Sequence, residues 1–481
     1  MLSAFTKFTH APSRLALGIC ISLLAGQLFA GAIAVESPEK VGVSSDRLSR
    51  ISRYMDKALA SGDMVGGLGL IARDGKVIYL QGYGDADKQP QRKMDQDTLF
   101  RIYSMSKPIT SVAVLMLYEE GHFALNDPIA RYLPELANLQ LALSTADSKD
   151  QLMLSDGTSS KHLGSGDLSK VGQTRAPRRQ PTIRDLLTHT AGFSYGLFGN
   201  TEVDKLYREA GLSMGNLRLK EFVEKLGSLP LQYEPGTRWH YSIATDVLGR
   251  LVEVISGMPF DEFLQQRIFN PLDMSNTGFT VSDEDWPRLA QLYSPRGTSE
   301  EIREAFLNIA NPRNLVEAPA SFDINFKPGA VFKSGGGGLV SSIGDYFRFS
   351  QMLLNGGELE GRRLLSPKTI QLMSSNHLTS IGEVFGRAGT GFGLGVAVST
   401  DQAAFGELGT EGEYNWGGAA GTKFWIDPKE KMIGIFMTQS IPHLSRVGVE
   451  FKYLSYQAII DSYLDDIEEG SKAGFWNNVF K

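Results

Sequence analysis

The sequence predicts an α+β fold in which an antiparallel sheet, flanked by helices, receives an inserted and mainly helical domain. Strand patterns occur towards both ends of the chain, around residues 67–80 and 394–437. Between them lies a helix-rich stretch, roughly residues 125–330. Strands and helices segregated in this way are typical of α+β proteins. We therefore predict a sheet domain of residues 41–125 plus 330–465 and a helical domain of residues 126–329.

The composition is that of a large folded chain that does not bind nucleic acid. The 481 residues are 42% hydrophobic and 21% charged, which is too apolar for disorder and too long for a single core of ~250–300 residues. The formal charge is −6, from 48 Lys plus Arg and 54 Asp plus Glu, so the basic surface that nucleic acid requires is missing. The seven histidines form no HExxH motif, and we predict neither a metal nor another cofactor.

The first 34 residues have the features of a secretory signal peptide. Lys7 and Arg14 precede an apolar run, and small residues at Ala32 and Ala34 suit cleavage. An uncleaved anchor is the alternative, but Gln27 and the glycines of the run weaken it. We expect a periplasmic or secreted protein without stable membrane insertion. The only cysteine, Cys20, lies in this segment, so a nucleophile in the mature chain must be an oxygen or an amine.

Local patterns predict the elements of the mature chain in order. A helix with apolar residues from Leu48 to Leu59 comes first, followed by a hairpin around Asp74-Gly75. Further elements are a capping box at residues 182–185, strands at 394–398, 423–426 and 433–437, a Gly-rich bend within 414–422, and a closing helix at 449–463. Residues 144–180 read as a surface-loop insertion and residues 466–481 as a C-terminal tail.

Ser104 and Lys107 match an S-x-x-K nucleophile motif before an apolar segment that predicts a buried helix ending at Gly121. Residues three apart on a helix face each other, so the Lys107 amine can take the Ser104 proton if burial lowers its pKa towards ~7–8. Alone, the pair could also be an N-cap serine and a solvated lysine. Ser37 and Lys40 have the same spacing, but they adjoin the cleavage site and precede no apolar helix.

A rival G-x-S-x-G motif occurs at residues 192–196, with Ser194 at its centre. That motif requires a turn from a strand into a helix. Here it follows the capped helix that begins after Thr182, and we predict a loop without a catalytic role.

Two further segments complete a pattern of motifs. Tyr241-Ser242-Ile243 precedes a helical segment, and Trp416-Gly417-Gly418 precedes a strand. Separately they could be a packed aromatic at a helix start and a Gly-rich bend. Together with the S-x-x-K motif, in this order, they resemble the serine β-lactamase and penicillin-binding-protein superfamily, in particular class C β-lactamase-like esterases (family VIII carboxylesterases). Residues 186–192, 235–236 and 334–338 reinforce the resemblance.

The resemblance implies a β-lactamase-like fold and a set of catalytic roles. Ser104 would be the nucleophile that accepts the acyl group, with Lys107 and Tyr241 as the bases that deprotonate it and later activate water. The backbone N–H groups of Ser104 and Ala419 would form the oxyanion hole. Trp416, Gly417, Gly418 and Ile243 would contact the substrate.

Two departures from the pattern of the penicillin-recognising enzymes bear on the substrate. Trp416-Gly417-Gly418 stands where those enzymes have Lys-Thr-Gly, which removes a cation, and Ile243 replaces an asparagine. Both changes disfavour β-lactams and D-Ala-D-Ala peptides and suit neutral esters. We therefore expect an exported serine hydrolase that cleaves small-molecule carboxylic esters through an acyl-serine intermediate. β-Lactamase, D-amino-acid peptidase or amidase, acyltransferase and non-catalytic cell-wall-binding functions are the alternatives, and the oligomeric state is left open.

Overall fold

The computed structural model describes residues 33–143, 173–212, 217–298, 301–302, 315–443 and 445–464. The predicted signal peptide, apart from its last two residues, lies outside the described residues. So do residues 144–172 of the predicted insertion and the predicted tail, residues 466–481.

Within the described part of the chain, the main sheet has eight strands in the order β12-β13-β14-β15-β16-β1-β2-β3. Every pairing in it is antiparallel, which confirms the predicted fold class. Its strands are β1 Gly66–Arg73, β2 Lys76–Lys88, β3 Gln91–Lys93, β12 Thr390–Phe392, β13 Ala397–Ser399, β14 Tyr414–Gly417, β15 Lys423–Asp427 and β16 Met432–Thr438. The remaining strands form two-stranded sheets: β4 Leu99–Arg101 with β9 Val340–Ser342, β5 Leu141–Ala142 with β6 Thr174–Arg175, β7 Tyr293–Ser294 with β8 Val316–Glu317, and β10 Glu358–Leu359 with β11 Arg362–Arg363.

Helices pack on both faces of the sheet, and most of the α-helices lie in the segment between its two halves. They are α1 Ser45–Ser61, α2 Ser106–Glu119, α3 Ile183–Leu187, α4 Glu202–Glu209, α5 Leu219–Leu226, α6 Ala244–Ser256, α7 Phe260–Leu264, α8 Ile343–Leu354, α9 Pro367–Met373, α10 Gln402–Phe405 and α11 Val447–Tyr456. The predicted capping box is present at α3, where Thr182 and Asp185 cap each other. No helix among the described residues is long and apolar enough to cross a membrane.

The centre of the sheet is buried between helices on both faces. Ile71, Trp425 and Phe436 pack in one apolar cluster with residues of α1 and α11. On the opposite face, Tyr346 of α8 packs against Phe424, with ring centroids 5.1 Å apart. Strand β1 is therefore buried at every position, and it pairs with the predicted hairpin partner β2 on one side and with β16 on the other.

The last helix is shorter than the predicted 449–463. It ends at Tyr456, and Ile459 then forms a β-bridge with Val43. The buried Arg73 guanidinium donates to the Asp461 carbonyl at 2.8 Å and to the Val41 carbonyl at 2.7 Å. If the helix continued through Asp461, the Asp461 carbonyl would point along the helix axis. The buried Arg73 guanidinium would then lose one of its hydrogen-bond acceptors.

Two other strands differ from the prediction. Residues 414–417, expected as part of a bend, form β14, in which Tyr414 and Trp416 are buried in alternation. Strand β13 begins at Ala397, three residues later than expected. Gly395, two residues before it, has φ 94°, a left-handed conformation that does not fit within a strand. A Cβ at Gly395 would also lie 2.0 Å from Ser111 Oγ, so this position requires glycine.

Candidate active site

Ser104 lies in a 3₁₀ turn, Tyr103–Met105, that connects β4 to α2. The helix itself begins at Ser106, so Ser104 precedes it and Lys107 lies in its first turn. The preceding residue, Tyr103, has φ 41°, a conformation that residues with a side chain rarely adopt. The turn presents the Ser104 hydroxyl to a cavity, while α2 behind it is buried from Ser106 to Leu117.

The Lys107 amine lies next to the Ser104 hydroxyl, as the spacing predicts. Its Nζ is 3.3 Å from Ser104 Oγ and donates to the Gly336 carbonyl at 2.6 Å. Lys107 is only 1% exposed, and this burial lowers its pKa from 10.5 to about 7, although the Asp246 carboxylate acts in the opposite direction. A substantial fraction of Lys107 is therefore neutral at neutral pH and can act as a base.

Tyr241 approaches the same hydroxyl from another part of the chain. It lies three residues before α6, and its phenolic oxygen donates to Ser104 Oγ at 2.7 Å. Burial raises the pKa of Tyr241 above its usual value, which keeps the phenol protonated. Ser104 Oγ thus lies between a deprotonable amine and a proton donor.

Asp246, in the first turn of α6, supports this arrangement and was not among the predicted site residues. Its carboxylate accepts from Ser334 Oγ at 2.6 Å and from the Gly336 N–H at 3.0 Å. The Gly336 carbonyl in turn accepts from Lys107, so Asp246 fixes the loop that holds the amine. Burial raises the pKa of Asp246, whereas Ser334 and the Lys107 charge lower it. Its position five residues after Tyr241, on a buried helix face, is the only sequence signal that could have indicated it.

Aromatic rings enclose Tyr241. The rings of His189, Tyr195, Trp239, Phe385 and Trp416 have centroids 4.9 to 6.1 Å from that of Tyr241. Burial and the Lys107 charge hold the pKa of His189 well below its ordinary value, so this imidazole is neutral. The rings bury most of the phenol, and the Lys107 Nζ lies 4.6 Å from the Tyr241 ring centroid, while Tyr241 still lines the cavity.

The G-x-S-x-G serine is not part of this site. Ser194 is 1% exposed, lies in a loop, and its hydroxyl donates to the Asp204 carboxylate near the start of α4. The same oxygen accepts from the Gly196 N–H at 2.9 Å. The structure thus places it in a loop, as predicted, with its hydroxyl committed to structural hydrogen bonds.

Strand β14 and the turn after it bring three of the predicted substrate contacts to the cavity. Trp416, Gly417 and Gly418 line it together with Ser104, Tyr241 and Ala419, and its volume is about 160 Å³. The Ala419 N–H donates to no backbone carbonyl among the described residues, so it is available to a ligand. Ile243, in contrast, is 1% exposed in the core at the start of α6 and does not line the cavity. The structure therefore separates Ile243 from the other predicted substrate contacts, which line the cavity.

No group of three or more His, Cys, Asp or Glu side chains able to hold a metal ion occurs within the described ranges.

Comparisons with known proteins identify the family of the chain. The chain matches the Beta-lactamase family model over residues 51–451. Esterase EstB of Burkholderia gladioli is 30% identical over 391 residues, which cover 79% of this chain and 87% of that protein. A putative D-alanyl-D-alanine carboxypeptidase of Escherichia coli (strain K12) is 26% identical over 425 residues, covering 85% of each chain.

A solved structure described as EstCE1, a hydrolase with promiscuous acyltransferase activity, superposes with a TM-score of 0.66 and 25% identity, covering 86% of this chain and 99% of that one. The predicted family resemblance, fold class and enzyme class are confirmed. The chain therefore belongs to the Beta-lactamase family and is a serine hydrolase with a β-lactamase-like fold.

Proposed function

We propose that this protein is an exported hydrolase that cleaves carboxylic esters through an acyl-enzyme formed on Ser104. The observation that carries the proposal is the position of Ser104 Oγ, 3.3 Å from the Lys107 amine and 2.7 Å from the Tyr241 hydroxyl, at the wall of a cavity. The similarity to EstB and EstCE1 adds support for esters as the substrate class.

In the first step, Ser104 Oγ attacks the ester carbon while neutral Lys107 takes the serine proton. The bond from the ester carbon to the alcohol oxygen breaks, and Tyr241 gives its phenolic proton to the departing alkoxide. The result is an acyl-serine, a free alcohol, a Lys107 ammonium and a Tyr241 phenolate. The ammonium stabilises the phenolate, which would otherwise be costly in this buried site.

In the second step, the Tyr241 phenolate removes a proton from water as the water oxygen attacks the acyl carbon. The bond between Ser104 Oγ and the acyl carbon breaks, and Lys107 returns its proton to Ser104. Each group regains its starting protonation state. Both steps pass through a tetrahedral oxyanion, for which the N–H groups of Ser104 and Ala419 are the proposed donors. The loss of one such donor typically costs ~10²–10³ in rate.

The nucleophile is tested by mapping a fluorophosphonate label and by two matched variants. Ser104→Ala should abolish both labelling and ester turnover. Ser194→Ala is the control, because Ser194 has the rival motif but an occupied hydroxyl, and it should retain its label and most of its turnover. A label on Ser194 in the wild-type chain would refute the proposed site.

Substrate class is tested with a panel on the purified chain: p-nitrophenyl esters, nitrocefin and a D-aminoacyl anilide. Esters are favoured because Trp416 places an apolar ring at the cavity wall in the position of the lysine of the penicillin-recognising enzymes, although Arg387, Lys423 and Lys452 line other parts of the cavity. Peptidase activity is the second candidate, favoured by the similarity to the putative carboxypeptidase. A kcat/KM for nitrocefin or for the anilide equal to that for the esters would contradict the ester preference.

Acyl transfer is tested in the same assay by adding an alcohol as a competing acceptor, since EstCE1 is described as having promiscuous acyltransferase activity.

Export is tested by expressing the full chain and measuring the mass and location of the product. A periplasmic or secreted chain that begins after Ala34 is expected, and an uncleaved, membrane-bound chain would contradict it.

A further inference from the structure

The loop with the G-x-S-x-G motif adjoins the Lys107 amine, although its serine has no part in the proposed chemistry. The ring centroid of Tyr195, the residue after Ser194, lies 5.3 Å from Lys107 Nζ. It also lies 5.5 Å from the ring centroid of Tyr241, which is itself 4.6 Å from the same Nζ. The amine therefore has two aromatic rings beside it, and the motif loop supplies one of them.

Hydrogen bonds on both sides of Tyr195 hold this loop in place. On one side, the Ser194 hydroxyl donates to the Asp204 carboxylate. On the other side, the Arg208 guanidinium donates to the Gly196 carbonyl. Asp204 and Arg208 both belong to α4. Helix α4 thus fixes the backbone before and after Tyr195.

Tyr195 and Lys107 differ in their exposure to solvent. Lys107 is 1% exposed, whereas Tyr195 is partly exposed and does not line the active-site cavity. A side chain that reaches solvent and also lies next to a buried amine separates that amine from water. The Tyr195 ring occupies this position relative to Lys107 Nζ.

We propose that the Tyr195 ring is a cover that keeps water away from the Lys107 amine, so that the amine can act as a base at neutral pH. Tyr195 acts through Lys107 as a positioning residue and does not act on the ester. This inference rests on the proposed function, in which Lys107 takes the proton of Ser104. It gives the motif loop a role that does not require Ser194 as a nucleophile.

The other groups around the amine do not reverse the expected effect of the cover. The Asp246 carboxylate raises the pKa of Lys107, while burial holds the pKa of His189 low and keeps that imidazole neutral. Tyr195 and Tyr241 keep their protons, because burial raises the pKa of both. An aromatic face also stabilises an ammonium. Burial outweighs these contributions, since the pKa of Lys107 is lowered to about 7, and loss of the ring should raise it.

The test measures pH profiles of the full chain over a range of about 5 to 9. One profile is kcat/KM for p-nitrophenyl acetate, and the other is the rate at which a fluorophosphonate labels Ser104. Tyr195→Ala removes the ring, and Tyr195→Phe keeps it. Tyr233→Ala is the matched control, because it removes a partly exposed ring that lies outside the cavity, 4.9 Å from the ring of His240.

Tyr195→Ala should raise the midpoint of both profiles by about one pH unit. Its kcat/KM should then be about fivefold below the wild-type value at about pH 7 and nearly equal to it at about pH 9, where the amine is neutral in both proteins. Tyr195→Phe and Tyr233→Ala should keep the wild-type midpoint. A purely structural role of Tyr195 would instead lower turnover equally at every pH.

A midpoint that is unchanged or lower in Tyr195→Ala, or an equal loss at every pH, would overturn the inference. An upward shift in Tyr195→Phe as large as that in Tyr195→Ala would also overturn it, because the ring is retained. If Tyr195→Ala does not fold, Tyr195→Gln, which replaces the ring with a hydrated amide, should raise the midpoint and decides in its place. Wild-type ester turnover no greater than that of Ser104→Ala would instead refute the proposed function, so the two failures are distinguishable.

Discussion

At the scale of single residues, the site depends on how burial changes the proton affinities of two side chains. The same enclosure lowers the pKa of Lys107 to about 7 and raises that of Tyr241. In the proposed mechanism the base, Lys107, and the acid, Tyr241, are thus both in their active forms near neutral pH, although their ordinary pKa values in water are close to each other. The sequence spacing predicts that Ser104 and Lys107 lie close together, as they do, because residues three apart near a helix start are neighbours; their catalytic roles remain a prediction.

The pH dependence of turnover should follow the protonation of Lys107. We expect kcat/KM for a neutral ester to rise with pH through a midpoint near 7, where the Lys107 ammonium becomes neutral. Lys107→Arg keeps the charge but cannot act as a base, and it should lose at least about 10²-fold in turnover. A pH series on both proteins checks this, and near-normal turnover of Lys107→Arg would assign the lysine an electrostatic role only.

Stability should depend on pH through the same residue. The pKa of Lys107 is lowered in the folded chain, so between about pH 7 and pH 10.5 the unfolded chain binds more protons at this group. The contribution of Lys107 to the free energy of unfolding therefore rises with pH in that window.

Asp246 should shift the midpoint of the pH profile of kcat/KM, because it raises the pKa of Lys107. Its carboxylate raises the pKa of Lys107, and Asn at this position can still accept hydrogen bonds from Ser334 and Gly336. Asp246→Asn should move the midpoint of the pH profile down by about one unit while the chain remains folded. Asp345→Asn, which changes another buried carboxylate away from the cavity, is the matched control. A midpoint identical to that of the wild type would show that Asp246 only holds the loop.

At the scale of elements, α11 is joined to the sheet by a buried polar cluster as well as by apolar packing. Lys452 donates to Glu413 at 2.6 Å, and the Tyr456 hydroxyl lies 2.7 Å from Glu413 and 2.8 Å from Asp427. Glu413 and Asp427 belong to the segments at the start of β14 and the end of β15. The cluster fixes the helix that forms one wall of the cavity.

Tyr456→Phe should therefore destabilise the fold by about 2 kcal/mol, since it removes the donor that lies between two buried carboxylates. Tyr453→Phe makes the same chemical change one turn away, where the side chain is partly exposed, and should cost less than about 1 kcal/mol. Urea unfolding of both variants measures the difference. Equal costs would mean that apolar packing alone holds α11 in place.

Elements stabilised by near neighbours were predictable from the sequence. The hairpin at Asp74-Gly75 and the capping box at Thr182 each depend on residues a few positions apart. Strand β14 is not predicted, because the glycines at 417, 418 and 421 indicate a bend, although Tyr414 and Trp416 are buried in alternation. The end of α11 was missed because it depends on Arg73, hundreds of residues away in the chain. Asp246 was missed for a related reason, since its partners Ser334 and Gly336 reach it only through the tertiary fold.

At the scale of the whole molecule, the sheet is completed by pairing the two ends of the folded chain. Strand β1 pairs with β16 in a continuous register from Gly67 with Thr438 to Arg73 with Met432. The division into a sheet domain and a helical domain remains a prediction, but the strands of the main sheet all lie in the two segments assigned to the sheet domain. Neither segment can bury its strands without the other, so the fold requires both.

The bridge between Val43 and Ile459 has a topological consequence. Ser44 N–H donates to the Ala458 carbonyl at 2.8 Å, so the first and last described segments of the fold are neighbours. A short Gly/Ser linker could join them, and new termini could be opened between Glu360 and Gly361, at the exposed tip of the β10–β11 hairpin. We expect this circular permutant to fold and to retain ester turnover within about threefold of the unpermuted chain, as measured by kcat/KM. Loss of folding would show that folding depends on the order of the two sheet segments along the chain, and not only on their proximity in the folded structure.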